Sequence, residues 1–526
     1  MSKFSYFVLL AVIVIILPAS ISTASYADDE SVFLSDGIHY RILDDDTVEI
    51  ASVNGFTEDT LTIPVEVTYL GKVYSVVGID CSPLYSEIVR IHIPPTVEYI
   101  SSSLDGFVLL ESVHVDLENR YFSSIDGVLF NKTCTNIILY PQAKIGSSYV
   151  VPTTVTTVDD LAFYNTGIID LTLPEGLAII GNHSFHNNDS LTRINHHDGI
   201  NHIPDSVILI GDMAFDSCSN LGDIMLPTTL RMIGEYAFQG CTSMTSMTIP
   251  ESVMYIGNGF VNGCTSMHTI GVSERNDRYE SRDGVLYMNE QNWTSLHSYP
   301  CAYPLDEFIV PNDVNTIETM AFCGSVNLEK VVLPDSMTVV GPYSLYGCRT
   351  LVSVYIPDSI MSLETMAFAD CESLSEIIGG KNVADLGMMV FYNTGLQDAF
   401  IPDSVRTIGM MAFYECDGLK EVVIPENVDS IESGAFGCCF NLGSITILDP
   451  DTALYEGSLG IGDWEHSVTV DIHIPEGMVV PDDAFNSYTK PNILVMGEEP
   501  YPYENLIGVA ICLLVLFIII RLFREV

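Results

Sequence analysis

Met244-Thr-Ser-Met-Thr-Ile-Pro-Glu-Ser-Val-Met-Tyr-Ile-Gly-Asn-Gly-Phe-Val-Asn-Gly-Cys264 is the stretch that decides the architecture, because it recurs along the chain. An aliphatic-Pro pair closes one short apolar run after another, at Pro204, Pro227 and Pro250, at Pro311, Pro334 and Pro357, and at Pro402 and Pro425, with a step of 23 residues within each series. Phenylalanine keeps the same step at Phe215, Phe238 and Phe260 and again at Phe322, Phe368, Phe391, Phe413 and Phe436, with Leu345 standing in once. A fixed period of this length marks stacked repeats rather than a string of independent globular domains.

Each element of the repeat has a physical reason. Met244, Met247 and Ile249 sit at the apolar positions of a short strand with one buried face. Pro250 lacks a ladder donor and belongs where that strand ends. Val253 and Ile256 predict a second brief strand, and Gly257 is expected to supply a turn dihedral that a Cβ would oppose. Phe260 and its counterparts fill the interior between coils. One coil cannot bury its apolar face alone, so neighbours must stack. The prediction is a repeat solenoid, a stack of short parallel β-strands over residues 81–487, interrupted at 376–383 and 447–475 where the period fails.

The termini predict where the protein resides. Lys3, the apolar run Phe7 to Leu17 and the small-residue sequence Ser25-Tyr26-Ala27 read as a signal peptide over 1–27, too short to cross ~30 Å of hydrocarbon. Leu506 to Ile520 is uninterrupted apolar sequence, extended by Leu522 and Phe523, and predicts one transmembrane helix over 506–523. Arg521 and Arg524 place a cytoplasmic tail at 524–526 and the N-terminal ectodomain outside. A processed sorting or lipid-anchor signal is the alternative, which leaves the ectodomain secreted or covalently attached. Residues 488–505 read as a polar tether.

The 69 Asp plus Glu against 20 Lys plus Arg give a net charge of −49. That field repels phosphate backbones, so nucleic acid is not an expected partner.

The coils resemble the BspA-like leucine-rich repeat family of surface proteins. The likeness extends to two longer coils near 119–149 and 276–310, which carry Asn119-Arg-Tyr-Phe-Ser-Ser-Ile-Asp-Gly-Val-Leu-Phe130 and Asn276-Asp-Arg-Tyr-Glu-Ser-Arg-Asp-Gly-Val-Leu-Tyr287. The Asp-Gly turn in each predicts an inserted hairpin. Residues 28–80 resemble the family's β-rich N-terminal cap. The resemblance implies adhesion to extracellular macromolecules.

Several side-chain groups are candidates for more than packing. Cys218, Cys241, Cys264, Cys348, Cys371, Cys416 and Cys439 occupy one place in the coil, as does Cys81, and read as a ladder of structural thiols. Three successive rungs cannot all pair as disulfides, and Asn188 replaces cysteine in one coil. His183, His186, His196, His197 and Asp198 offer imidazole and carboxylate ligands around a lengthened coil, a metal site being the alternative to a solvated loop. Glu175, Asp205, Glu251, Asp335, Asp358, Asp403, Glu426 and Glu476 follow the anchoring prolines and form an acidic edge, either turn chemistry or a Ca²⁺-collecting stripe. Asn131, Asn182, Asn188 and Asn292 head glycosylation sequons. Tyr279, Tyr287, Tyr299 and Tyr303 on the second hairpin coil are candidates to present contact area, the alternative being that the rings cover the ends of the inserted strands.

No nucleotide-binding loop, nucleophile elbow or zinc-protease motif occurs, so neither a cofactor nor catalysis is expected. The leading expectation is a surface-anchored module that binds an extracellular protein or glycan. A passive structural coat is the second reading, and the exposed side chains of the strands distinguish the two, an aromatic cluster marking a sticky face and a uniformly acidic one a passive coat.

Overall fold

The computed structural model describes residues 31–496, apart from 55, 82–86, 102, 103, 105, 291, 292, 464 and 465. The expected signal peptide (1–27), transmembrane helix (506–523) and tail (524–526), together with Asn292, lie outside the described residues. Among those described, no helix is long and apolar enough to cross a membrane. The chain divides into two units, Met1–Cys264 and Thr265–Val526.

Unit 1 begins with a cap. Val32–Ser35, Ile38–Ile42 and Thr47–Ser52 form an antiparallel meander, and Lys72–Ile79 adds to it in parallel. Tyr40, Val48, Ile50 and Val76 are buried and share a core with Ile91, Ile93 and Val113 of the first coils. The cap thus closes the end of the stack over apolar side chains that would otherwise face water.

Beyond the cap, alternation sets the coil. In Ser246–Ile249 the side chains of Met247 and Ile249 are buried while Ser246 and Thr248 face outward. After Pro250 the chain turns into the two-residue strand Tyr255–Ile256, which pairs in parallel with Met232–Ile233. Such short strands continue back to the hairpin Phe122–Ile125 and Val128–Asn131 as one eight-stranded sheet whose order follows the chain. A further hydrogen-bonded column runs through the turns, where alternate amides reach the next coil: Met213 N to Glu235 O at 2.8 Å, Phe215 N to Ala237 O at 2.7 Å and Ser217 N to Gln239 O at 2.7 Å.

That column corrects the expectation for Gly257. The left-handed dihedrals belong to Met213 (φ 51°), Ser217 (φ 60°) and Tyr236 (φ 56°), and Gly257 is not among the positive-φ residues. Glycine is needed there for close approach, since a Cβ would lie 2.3 Å from the Glu235 backbone nitrogen. At Gly234 the same contact, to Asp212 N, is 2.4 Å. Inside, Phe163, Phe185, Phe215 and Phe238 stack with centroids 5.0, 5.0 and 5.2 Å apart.

Unit 2 opens with the second hairpin, Tyr279–Arg282 against Val285–Glu290, turning at Asp283 (φ 51°) and Gly284 (φ 88°). Two residues of positive φ make the turn whose twist suits antiparallel strands, and Asp126-Gly127 does the same in unit 1. Glu307–Ile309, Lys330–Val332, Ser353–Ile356 and Glu376–Gly379 then pair in parallel. The irregular stretch 376–383 keeps its register because Gly379 (φ 88°) and Gly380 (φ 65°) turn the chain where Ile-Pro does so elsewhere. Phe368, Phe391, Phe413 and Phe436 form an aromatic column within this unit.

The tether expected over 488–505 is corrected in part. Thr489–Met496 is a full strand, paired over eight residues with Val468–Pro475. It is the edge of its sheet, where Pro491 costs no ladder bond to a further neighbour.

Candidate binding face

All twelve cysteines of the described residues are free thiols. The ladder members lie within the core, and the seven from Cys218 to Cys439 each donate an S–H to a main-chain carbonyl of the preceding coil. Cys218 reaches Phe185 O at 3.1 Å, Cys241 Phe215 O at 3.3 Å and Cys264 Phe238 O at 3.1 Å. In unit 2, Cys348 reaches Phe322 O, Cys371 Leu345 O, Cys416 Phe391 O and Cys439 Phe413 O, at 3.0 to 3.2 Å. Asn188 takes the same place with two donors, to Phe163 O at 2.7 Å and Phe185 O at 2.8 Å. Burial raises the thiol pKa values of Cys218, Cys241, Cys371, Cys416 and Cys439, that of Cys416 to about 11, which holds the donating, protonated form of these five at neutral pH.

The four hairpin tyrosines offer no contact surface: Tyr279, Tyr287, Tyr299 and Tyr303 are all buried. The insertion turns its inner side onto the core, where Tyr299 meets Tyr303, Phe308 and Phe322 at centroid distances of 4.8 to 4.9 Å. Arg282 covers the Tyr287 ring at 4.8 Å and is itself paired with Glu280 and Asp313.

The histidine set separates into two local groups. His183 and His186 lie 5.4 Å apart, with His186 Nδ1 3.2 Å from Asp216 Oδ2 and its pKa lowered by burial. His197 stacks on His202 at 3.6 Å and approaches Asp198, while His196 faces Asn201 at 3.2 Å. The described residues contain no group of three or more His, Cys, Asp or Glu placed to hold a metal ion. The same holds along the acidic edge considered for Ca²⁺, whose eight carboxylates are all exposed. Its companion hydroxyls do structural work, Ser252 Oγ donating to Leu230 O and Ser359 Oγ to Met337 O, both at 2.6 Å.

Among the sequons, Asn188 is unsuited to glycosylation in the folded chain, because its amide is buried in the ladder. Asn131 spends its amide on Thr135 and Asn136. Asn182 is exposed, with Oδ1 accepting Asp212 N and Nδ2 donating to Asp160.

The surface that sequence reasoning missed is a row on the long strands of unit 2. Ile309, Val332, Tyr355 and Ile378 are direct cross-strand neighbours with outward side chains. Ile309 is 66% and Ile378 43% exposed, and Val332 and Tyr355 are half-buried between them. The Tyr355 ring leans over Gly379, where a Cβ would come within 3.3 Å of Cε2. Glu307, Lys330 and Glu376 border the row on one side, and Asp335, Asp358 and Lys381 on the other, all exposed. Lys330 is paired with Glu307 at 2.8 Å and Lys381 with Asp358 at 3.5 Å. The signal was present in the repeat: the residue between the two inward positions before the proline is Val150, Thr172, His202, Met225 and Thr248 in successive coils of unit 1, where polar residues break the run, but Ile309, Val332 and Tyr355 in three successive coils here.

The sequence profile of the BspA type leucine rich repeat region matches this chain in six copies, over residues 143–209, 201–282, 297–402 and 385–459. No curated protein matches it. Among solved structures, a leucine rich cell surface protein from Faecalibacterium prausnitzii is 24% identical, with 80% of this chain and 96% of that chain covered and a TM-score of 0.46. The pneumococcal vaccine antigen PcpA is 18% identical, with 89% and 99% covered and a TM-score of 0.40. A leucine-rich repeat protein from Bacteroides ovatus is 19% identical, with 88% and 99% covered and a TM-score of 0.37.

Proposed function

The chain belongs to the BspA-type leucine-rich repeat family, whose profile spans more than half of it, and from that premise we propose that it is a non-catalytic surface protein that recognises an extracellular protein. The ectodomain is exported by residues 1–27 and held at the membrane by residues 506–523. The observation that carries the reading is the outward row Ile309, Val332, Tyr355 and Ile378. A passive coat has no use for adjacent aliphatic and aromatic side chains in water, whereas a recognition surface gains affinity by desolvating them. Three of the four are aliphatic, which favours a protein over a glycan, since sugars pack on aromatic faces and need polar partners. The charge of −49 directs encounter toward cationic partners and makes it weaken with salt.

The test is binding of the full chain to an array of purified extracellular proteins and glycans at two ionic strengths. A protein ligand whose affinity falls with salt is the expected result. Failure to bind any of them favours the coat, and glycan-only binding removes the row from the account.

A further inference from the structure

We propose that the outward side of the short strands in unit 1 is a separate docking surface, and that its partner is a cationic amphipathic helix. Ile179, Leu209, Met232 and Tyr255 form a cross-strand row there, each directly opposite the next. Ile179, Met232 and Tyr255 are exposed, and Ile208 and Met254, one residue earlier in their coils, add apolar surface on either side of the exposed Arg231, which stands between them; Met254 is 60% exposed. Toward the cap the row stops at Thr157, the cross-strand neighbour of Ile179. The result is an apolar island across four successive rungs, two of its members methionine, whose unbranched thioether adapts to irregular partners.

A pinned polar border runs beside the island. Two residues after each inward isoleucine or valine of the short strands come Asp160, Asn182, Asp212 and Glu235, all exposed. Asp160 Oδ1 accepts Asn182 N at 2.7 Å, Asn182 Oδ1 accepts Asp212 N at 2.8 Å, and Asp212 Oδ1 accepts Glu235 N at 2.8 Å. Burial and then the Glu235 and Asp212 carboxylates raise the Tyr255 phenol, which marks how near the border lies to the row. From Ile145 to Cys264 the chain carries twelve carboxylates against two arginines and no lysine. An apolar row edged by carboxylates is complementary to an apolar stripe edged by lysine or arginine.

Spacing selects a helix. Rungs repeat every ~4.8 Å and an α-helical turn rises ~5.4 Å, so a helix laid across the strands drifts by only about 0.6 Å per turn. Over four rungs its apolar residues at i, i+3/i+4 and i+7 stay opposite the row within about 2 Å. A second copy of this chain is disfavoured because it brings −49 against −49. Anionic lipid is disfavoured for the same reason.

The probe is an 18-residue Leu/Lys peptide with its leucines on one helical face, compared with a scrambled isomer of identical composition. Each is labelled and titrated with the full chain by fluorescence anisotropy. The facially ordered peptide is expected to bind at least tenfold more tightly than the isomer, and M232D/M254D to abolish that difference. D212N/E235Q keeps the oxygen that accepts Glu235 N and should weaken binding severalfold while flattening its salt dependence, which covers the case of a misfolded M232D/M254D. I309S/Y355S/I378S, in the other unit, should bind the peptide as wild type does, so this surface and the recognition row fail or survive separately. Equal binding of the two isomers, no effect of D212N/E235Q, or a wild-type dimer dissociated by M232D/M254D would each overturn the proposal.

Discussion

Replacing Cys241 discriminates between a thiol that merely fills space and one that joins coils. The Sγ–H of Cys241 bonds Phe215 O at 3.3 Å, and that carbonyl also accepts the Cys218 amide at 3.2 Å. Cys241→Ala therefore removes one buried hydrogen bond without orphaning the acceptor, a loss of about 0.5–1.5 kcal/mol. The cavity of one missing sulfur adds roughly 0.5 kcal/mol. The sum, about 1–2 kcal/mol, corresponds to a roughly 5- to 30-fold change in the local opening equilibrium. Cys241→Asn behaves differently. Asn188 already shows the amide reaching carbonyls of both its own coil and the preceding one, so an amide at 241 can reach Phe215 and Phe238. Hydrogen exchange of the amides that join these coils, such as Ser217 and Gly240, reads both variants without assuming a single unfolding transition. The alanine variant should exchange faster by that factor, and the asparagine variant should stay within about threefold of wild type. Equal acceleration in both would refute the carbonyl-capping role and leave packing alone.

Other outcomes follow from the same geometry. Gly257→Ala sets a Cβ against Glu235 backbone and should cost about 1–3 kcal/mol, seen as an early loss of unit 1 in a urea series. Glu415 has a raised pKa through burial, so its contribution is present below the ordinary glutamate range and lost as pH rises through the folded value. Glu415→Gln, which can still accept the Tyr392 hydroxyl (2.7 Å), should therefore raise the denaturation midpoint at pH 7 and leave it unchanged at pH 4. Iodoacetamide at pH 8 should spare the buried ladder thiols of the native chain and modify all of them in urea. Protease added to intact cells should remove the ectodomain while a tag after Val526 stays protected; loss of the tag with the ectodomain contradicts the expected topology.

The stack was legible because every rung repeats the same physical solution. Alternation before Pro250 set the inward side chains, and Asp-Gly marked both hairpins. What misled was the local meaning of single residues. Gly257 looked like a turn residue, but close packing between coils is a tertiary fact that one coil's sequence does not carry. The tyrosines of 279–303 looked like exposed anchors because a hairpin suggests a protrusion. Instead the insertion folds its aromatic side onto Phe308 and Phe322. The row at 309, 332, 355 and 378 could be read from the repeat by asking which side chains alternate outward, since apolar identity at an outward position has no packing reason.

The central claim, recognition through that row, is tested most directly by one comparison. Wild-type full chain and I309S/Y355S/I378S are measured against the extracellular protein that binds most tightly in the array, with thermal unfolding of both recorded alongside. Each substitution is on the outward side of its strand, so the unfolding midpoint should hold. Loss of two or more hot-spot contacts worth about 2 kcal/mol each predicts a drop in affinity of several hundredfold or more. Unchanged affinity in a variant that is folded like wild type would contradict the account.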